Sequence, residues 1–248
     1  SRGLGDVYKR QLKNYITAFK DEYFRQAIWT TLKFTIVSVF FELILGFFVA
    51  LLLNSIKKGR EIYFSIIIVP MMISAVAVGL IWRLLLHPDL GIVNYMLSRI
   101  GIAGRAWTGD AKYALGTLIF VDVWQEMPYI VLLNLAGLVS LPREPYEAIS
   151  IDGASRFQQL VHLTIPMMKP TILVATLLRF ISALKAYDLV YVMTKGGPGT
   201  STEVMGYNIY KQAYSYMNTG RASAMAYILL FMILIISIFF VRVSRTDD

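Results

Sequence analysis

The sequence predicts an all-α, polytopic membrane protein, and three observations carry that expectation. Hydrophobic residues make up 56% of the chain and charged residues only 16%, with a mean hydropathy of +0.58. An ordinary soluble domain carries about 25% charged residues. The apolar residues gather into five long runs, each sufficient to cross a hydrocarbon core of ~30 Å at ~1.5 Å per residue. The net charge of +8 would suit a nucleic-acid partner, but the Lys and Arg are scattered or lie beside the apolar runs. Juxtamembrane placement explains them better, so membrane lipid and no nucleic acid is expected. Without cysteine there is no disulfide or thiolate chemistry. His87 and His162 lack ligand spacing, and no metal site is expected.

Taken in order, residues 1–26 are polar and basic, with no apolar core of a signal peptide. Within them, 12–24 reads as a short amphipathic helix at a membrane surface. The first span covers 27–53 and is interrupted by Lys33 and Glu42, both assigned to helix packing or the interface. It is longer than the core and must tilt or extend past it. A short loop at 54–60 is dense in positive charge. The second span, 62–86, contains Pro70, with Trp82 and Arg83 placed as an interfacial ring and a snorkelling cation. A Gly-punctuated, non-periodic connector fills 87–112. The third span covers 113–138 and the fourth 167–193. Lys195-Gly196-Gly197-Pro198-Gly199 forces a turn into a Tyr-rich loop that ends near Gly220. The fifth span, 222–241, is followed by Arg242 and Arg245. The organisation is thus a polar segment, 1–26, and a membrane domain, 27–245, with one polar excursion at 141–166.

Lys and Arg in short loops set orientation. The loop at 54–60 and the tail at 242–248 are the densest, and an even number of spans separates them, so both face the cytoplasm. The excursion at 141–166 then lies on that side too. Five spans put residues 1–26 outside, which their own Lys and Arg oppose.

The excursion looks structured. Glu147-Ala148-Ile149 starts a short helix just after Pro142 and Pro145, where proline is tolerated. Gly153 breaks it, and Ser155 caps a second helix through Phe157, Leu160 and Val161. Pro166 and Pro170 mark entry into the fourth span. This stretch resembles the signature of the membrane subunits of bacterial ABC importers, written Glu-Ala-Ala, three residues, Gly, nine residues, Ile, any residue, Leu, Pro. Glu147, Ala148, Gly153 and Pro166 match in register, and Ile149, Leu163 and Ile165 are apolar replacements. Tyr146 and the run from Ile151 to Ser155 look most like the carbohydrate branch of that family.

That resemblance covers most of 12–245. It implies a type I importer permease with six spans in the intact member, the first lacking here. It also implies a bacterial inner (cytoplasmic) membrane location. The partners it implies are a second permease, two ATPase subunits that bind the ATP, and an extracytoplasmic solute-binding protein. The chain itself needs no cofactor. The excursion would be the coupling helix that docks in a groove of the ATPase. Glu147, Ala148, Ile149, Asp152, Gly153, Ala154 and Pro166 would carry that contact. Glu147 would meet a basic group, Ala148 would allow close approach, and Gly153 would form a turn that a side chain would obstruct. Gly153→Asp is expected to insert normally and to uncouple transport.

Ionisable groups at mid-helix cost roughly 2.5–3.5 kcal/mol on insertion scales, so each needs a reason. Asp122, Gln125, Glu126 and Tyr129 fall at i, i+3, i+4 and i+7, one face of the third span. Pro128 interrupts the backbone bonding beside them, as tolerated where a helix lines protein or a cavity. Arg179 and Ser182 share a face of the fourth span. One reading is a polar path for a hydroxyl-rich substrate, with Tyr129 stacking on a sugar ring. The other is ion pairing between spans, Asp122 or Glu126 with Arg179. By the resemblance, these helices line the substrate cavity.

No phosphate-cradling Gly-x-x-x-x-Gly-Lys-Ser/Thr loop, nucleophile elbow or His-Glu-x-x-His occurs, so no catalytic residue is expected and energy must come from a partner. The alternative class is a secondary transporter or channel driven through Asp122, Glu126 and Arg179. It leaves the signature unexplained and shows no inverted repeat.

Overall fold

The structure, a computed structural model, describes residues 13–245; residues 1–12 and 246–248, with the ends of the expected N-terminal segment and basic tail, lie outside them. Among the described residues every regular element is helical. Four helical stretches are long and apolar enough to cross a membrane, Glu22–Ser55, Ala111–Ser140, Arg156–Leu184 and Thr219–Val243, and a bent pair supplies a fifth.

Helix α1 covers 13–20 and stops where Asp21 caps α2, Glu22–Ser55, by accepting from the Tyr23 N–H at 2.9 Å. The expected surface helix 12–24 is therefore shorter, and the first span begins earlier than residue 27. Ala18 and Phe24 are fully buried in one cluster with Met225 and Ile228 of the last helix. Ala18 anchors α1 in this cluster, while Ile16 and Phe19 on the same helix stay exposed.

The second run is bent. Helices α3 (Arg60–Met72) and α4 (Ala75–Leu85) meet at 92°, where the sequence reads as one span, 62–86, containing Pro70. Ile73 is extended, and Ser74 starts α4 by accepting from the Ala77 N–H. Gln125, from the third span, donates its Nε2 to the freed Ile73 carbonyl at 3.0 Å. A cap and a side-chain amide thus replace backbone partners that the bend removes.

The connector at 87–112 contains a helix of its own, α5 (Ile92–Arg99). The Asn94 side chain ties it down, donating to the Pro88 and Arg105 carbonyls and accepting from the Arg105 N–H and Trp107 Nε1. Helix α6, Ala111–Ser140, contains the expected third span and Pro128.

The excursion forms α7 (Glu144–Ile151) and α8 (Arg156–Gln159), and Ser155 makes a reciprocal capping box with Gln158. Helix α8 does not end there. It passes through a π turn at Leu160–Thr164 into α9, Ile165–Leu184. The Ile165 N–H reaches back to the Leu160 carbonyl, and Pro166 follows with no N–H to place. The fourth span therefore starts inside the excursion and ends at Leu184, short of residue 193. Helix α10 (Asp188–Met193) packs on α4 instead. Helix α11 (Met205–Tyr210), a second π turn at Lys211–Ser215 and α12 (Thr219–Arg245) complete the chain.

Helices α2 and α6 form the central pair. A Cβ on Gly46 would lie 2.7 Å from Ile130 Cγ2, so the two backbones approach where only glycine fits. At one end, Ala50, Leu53, Val131, Leu138 and Met168 make a buried cluster below the excursion. Asn54 and Arg60 share a cleft with Arg143, Tyr146 and Thr164, placing the basic loop beside it. At the other end Asp21 pairs with Arg221, Gln26 accepts from Thr200, and Thr31 accepts from the Met205 N–H. Residues 13–20 thus lie at the end opposite the excursion, as the span count required. There, burial disfavours the Lys211 ammonium, but its hydrogen bonds and charge pairing with Glu203 prevail and hold it above the ordinary lysine range.

Candidate functional site

The excursion is a hairpin of two helices bolted at its base. Tyr146 Oη donates to Thr164 Oγ1 at 2.9 Å. Across the gap, Gln159 Nε2 donates to Ser150 Oγ at 3.0 Å and to the Ala154 carbonyl at 3.2 Å. These four side chains fix the angle between α7 and α8, and sequence reasoning passed over them. Their polar character was visible, but which of them would meet depends on the turn. Gly153 makes that turn with φ +82°, and a Cβ built there meets nothing within 4 Å. The left-handed backbone, not crowding, is what calls for glycine, which corrects the expectation of an obstructed turn.

Glu147, Ala148, Asp152, Gly153 and Pro166 are exposed, whereas Ile149 and Ala154 are half-buried. Two apolar side chains stand out of the hairpin, Ile151 at 86% exposure and Phe157 at 73%. His162 is exposed, with its Nδ1 on the Gln158 carbonyl.

The mid-helix polar residues converge on a cleft of about 210 Å³ between α6, α9 and the start of α10. Asp122, Gln125, Glu126, Arg179 and Ser182 line it, with Lys185, Tyr187 and Asp188. Tyr129 is half-buried outside this lining, and Tyr187 supplies the aromatic ring instead. Tyr187 belongs to a group with Tyr191, Tyr207 and Tyr210 whose neighbouring ring centroids lie 5.1 to 6.4 Å apart.

At the back of the cleft Arg179 is clamped by two carboxylates. Its Nε lies 2.6 Å from Glu42 Oε2, and its Nη2 lies 2.9 Å from Glu42 Oε1 and 2.5 Å from Asp122 Oδ2. Glu42 is fully buried and Arg179 is 2% exposed. Glu42 thus settles helix packing as a buried charge partner and does not reach the interface, while Lys33 is exposed. Of the two carboxylates expected to pair with Arg179, Asp122 does so; Glu126 makes no salt bridge among the described residues. The clamp centres on Nη2, which makes charge-assisted hydrogen bonds to both carboxylates, with Nε held against Glu42 Oε2 as an ion pair. It joins α2, α6 and α9.

The family model described as "Binding-protein-dependent transport system inner membrane component" matches residues 42–245. The chain belongs to that family. Among its relatives in this permease family is the trehalose/maltose transport system permease protein MalF of Thermococcus litoralis. The two are 35% identical over 94% of this chain and 79% of the relative. The sulfoquinovosyl glycerol transport system permease protein SmoG of Agrobacterium fabrum is 32% identical, over 95% and 77%. A solved bacterial ABC transporter involved in import of the acidic polysaccharide alginate has a chain of the same fold. It superposes with a TM-score of 0.86 at 26% identity, covering 94% of this chain and 83% of that one. The permease is a multi-pass ABC transporter membrane subunit of type I importer fold, not an enzyme.

Proposed function

We propose that this permease forms half of the translocation path of an ATP-driven importer for a sugar or related polyol in the bacterial inner membrane. The observation that carries the reading is a direct connection. The two helices that leave the hairpin, α6 and α9, are the two whose polar faces make the cleft. The hairpin is the cytoplasmic handle. Glu147, Asp152 and the apolar Ile151 and Phe157 enter a groove on a separate ATPase subunit, which binds the nucleotide. Ala148 and Ala154 allow close approach, Gly153 sets the turn, and Ile149 and Pro166 complete the contact surface. A second permease completes the path, and a solute-binding protein delivers substrate from outside. Relatives whose names specify trehalose/maltose or sulfoquinovosyl glycerol support the sugar assignment.

The mid-helix charges keep one rival in view, a secondary transporter driven by ions through Asp122, Glu126 and Arg179. One experiment separates the two. The permease co-expressed with an importer ATPase and a second permease subunit is purified and placed in proteoliposomes. Co-purification of the ATPase and vanadate-sensitive uptake are expected. Uptake driven by a proton or sodium gradient without ATPase would replace the proposal with the rival.

A further inference from the structure

We propose that the cleft admits uncharged sugar rings and rejects uronates, sulfonates and phosphates, because Glu42 withholds the guanidinium of Arg179 from any substrate. The inference rests on the sugar-importer reading above and names the charge class within it. Recognition of an anion by an arginine requires free N–H groups in the guanidinium fork. Here Nη2 donates to both Glu42 and Asp122, Glu42 Oε2 sits 2.6 Å from Nε as an ion pair and blocks approach to it, and the side chain has almost no exposed surface. The acceptors come from two different helices, so no single side-chain rotation frees the fork.

What remains for a substrate is acidic. Asp122, Glu126 and Asp188 line the cleft and Glu42 lies behind it, four carboxylates against Arg179 and Lys185. Lys185 is exposed at the end of α9, so its ammonium meets water at the rim rather than a dry pocket. Glu126 is different. It faces the cleft with no salt bridge among the described residues, and a carboxylate accepts hydroxyl donors from a sugar diol. Ser182 adds a hydroxyl and Tyr187 an aromatic surface. The set matches a neutral glycosyl ring. A negative group within ~6 Å of Glu126 is repelled, at the effective dielectric of such sites, by enough to cost about tenfold or more in affinity.

The complete transporter, without its binding protein, is placed in nanodiscs and titrated calorimetrically with maltotriose and with trigalacturonate, which share ring number and differ in charge. Maltotriose is expected to bind at least about tenfold more tightly. Glu126→Gln is expected to narrow that ratio by weakening maltotriose and relieving trigalacturonate. Glu42→Gln is expected to narrow it from the other side, by giving trigalacturonate access to Arg179. If Glu42→Gln does not assemble, Glu126→Gln carries the test alone. Equal or tighter binding of trigalacturonate, binding of neither sugar, or a ratio unmoved by both variants would overturn the inference. Vanadate-sensitive ATP hydrolysis by the same nanodiscs reports separately on the importer reading, so loss of one leaves the other legible.

Discussion

Arg179 illustrates how one residue joins three helices. Removing it leaves Glu42 and Asp122 facing each other with little water, and breaking a buried pair in this way costs about 3–5 kcal/mol. Arg179→Met should therefore lower the melting temperature of the detergent-solubilised permease sharply. Adding Glu42→Gln and Asp122→Asn should restore most of the loss, because no unpaired charge then remains. A triple variant as unstable as the single one would contradict the clamp. The participants were only half legible in the sequence. Asp122 and Arg179 were visible as mid-helix charges on faces that could meet. Glu42 was visible as a charge, but its partner lies 137 positions away, and nothing local reports such a distance. Gly153 was readable as a break, but its reason was not, since a turn's φ and the space around it belong to the folded hairpin. With open space around it, Gly153→Val should cost only the left-handed backbone strain, about 1–2 kcal/mol. The membrane helices should insert as before, and ATPase co-purification should fall.

At the scale of elements, hydropathy found the helices and missed their directions. A continuous apolar run says that a segment is greasy, and the bend at 73–74 changes nothing in that count. Only the Ser74 cap and the Gln125 amide reveal it. Gln125→Leu would strand the Ile73 carbonyl, and an unsatisfied buried acceptor costs about 1–3 kcal/mol. Faster hydrogen exchange at 72–78, with α9 unchanged, is the expected result. Equal exchange in both proteins would show that the bend holds itself. The hairpin obeys a similar logic. Gln159→Ala removes two bonds across its gap, at about 0.5–1.5 kcal/mol each. Exchange should rise in 144–159 while the cleft helices stay protected. The join between α8 and α9 was hidden because two prolines read as a boundary, whereas a π turn carries the helix past them.

For the whole molecule, the close approach of α2 and α6 at Gly46 governs whether Glu42 reaches Arg179 at all. Gly46→Leu should prise the pair apart at Ile130 and lower thermal stability by an overpacking cost of about 1–3 kcal/mol. It should also expose Arg179 to water, which proteolysis and melting measurements would register together. The two legs of the hairpin are not alike. Helix α9 and the hairpin's second arm are one uninterrupted stretch, Arg156–Leu184, about 43 Å long. Helix α6 instead ends at Ser140 and reaches α7 through Leu141, which is extended. A thrust delivered at the tip should therefore pass along one leg and be taken up at a joint in the other. On the proposed coupling role, the two faces of the cleft should then slide past each other rather than part, which would load the Asp122–Arg179 pair that joins them. A cysteine cross-link between α6 and α9 that blocks uptake only when it prevents sliding is the expected result.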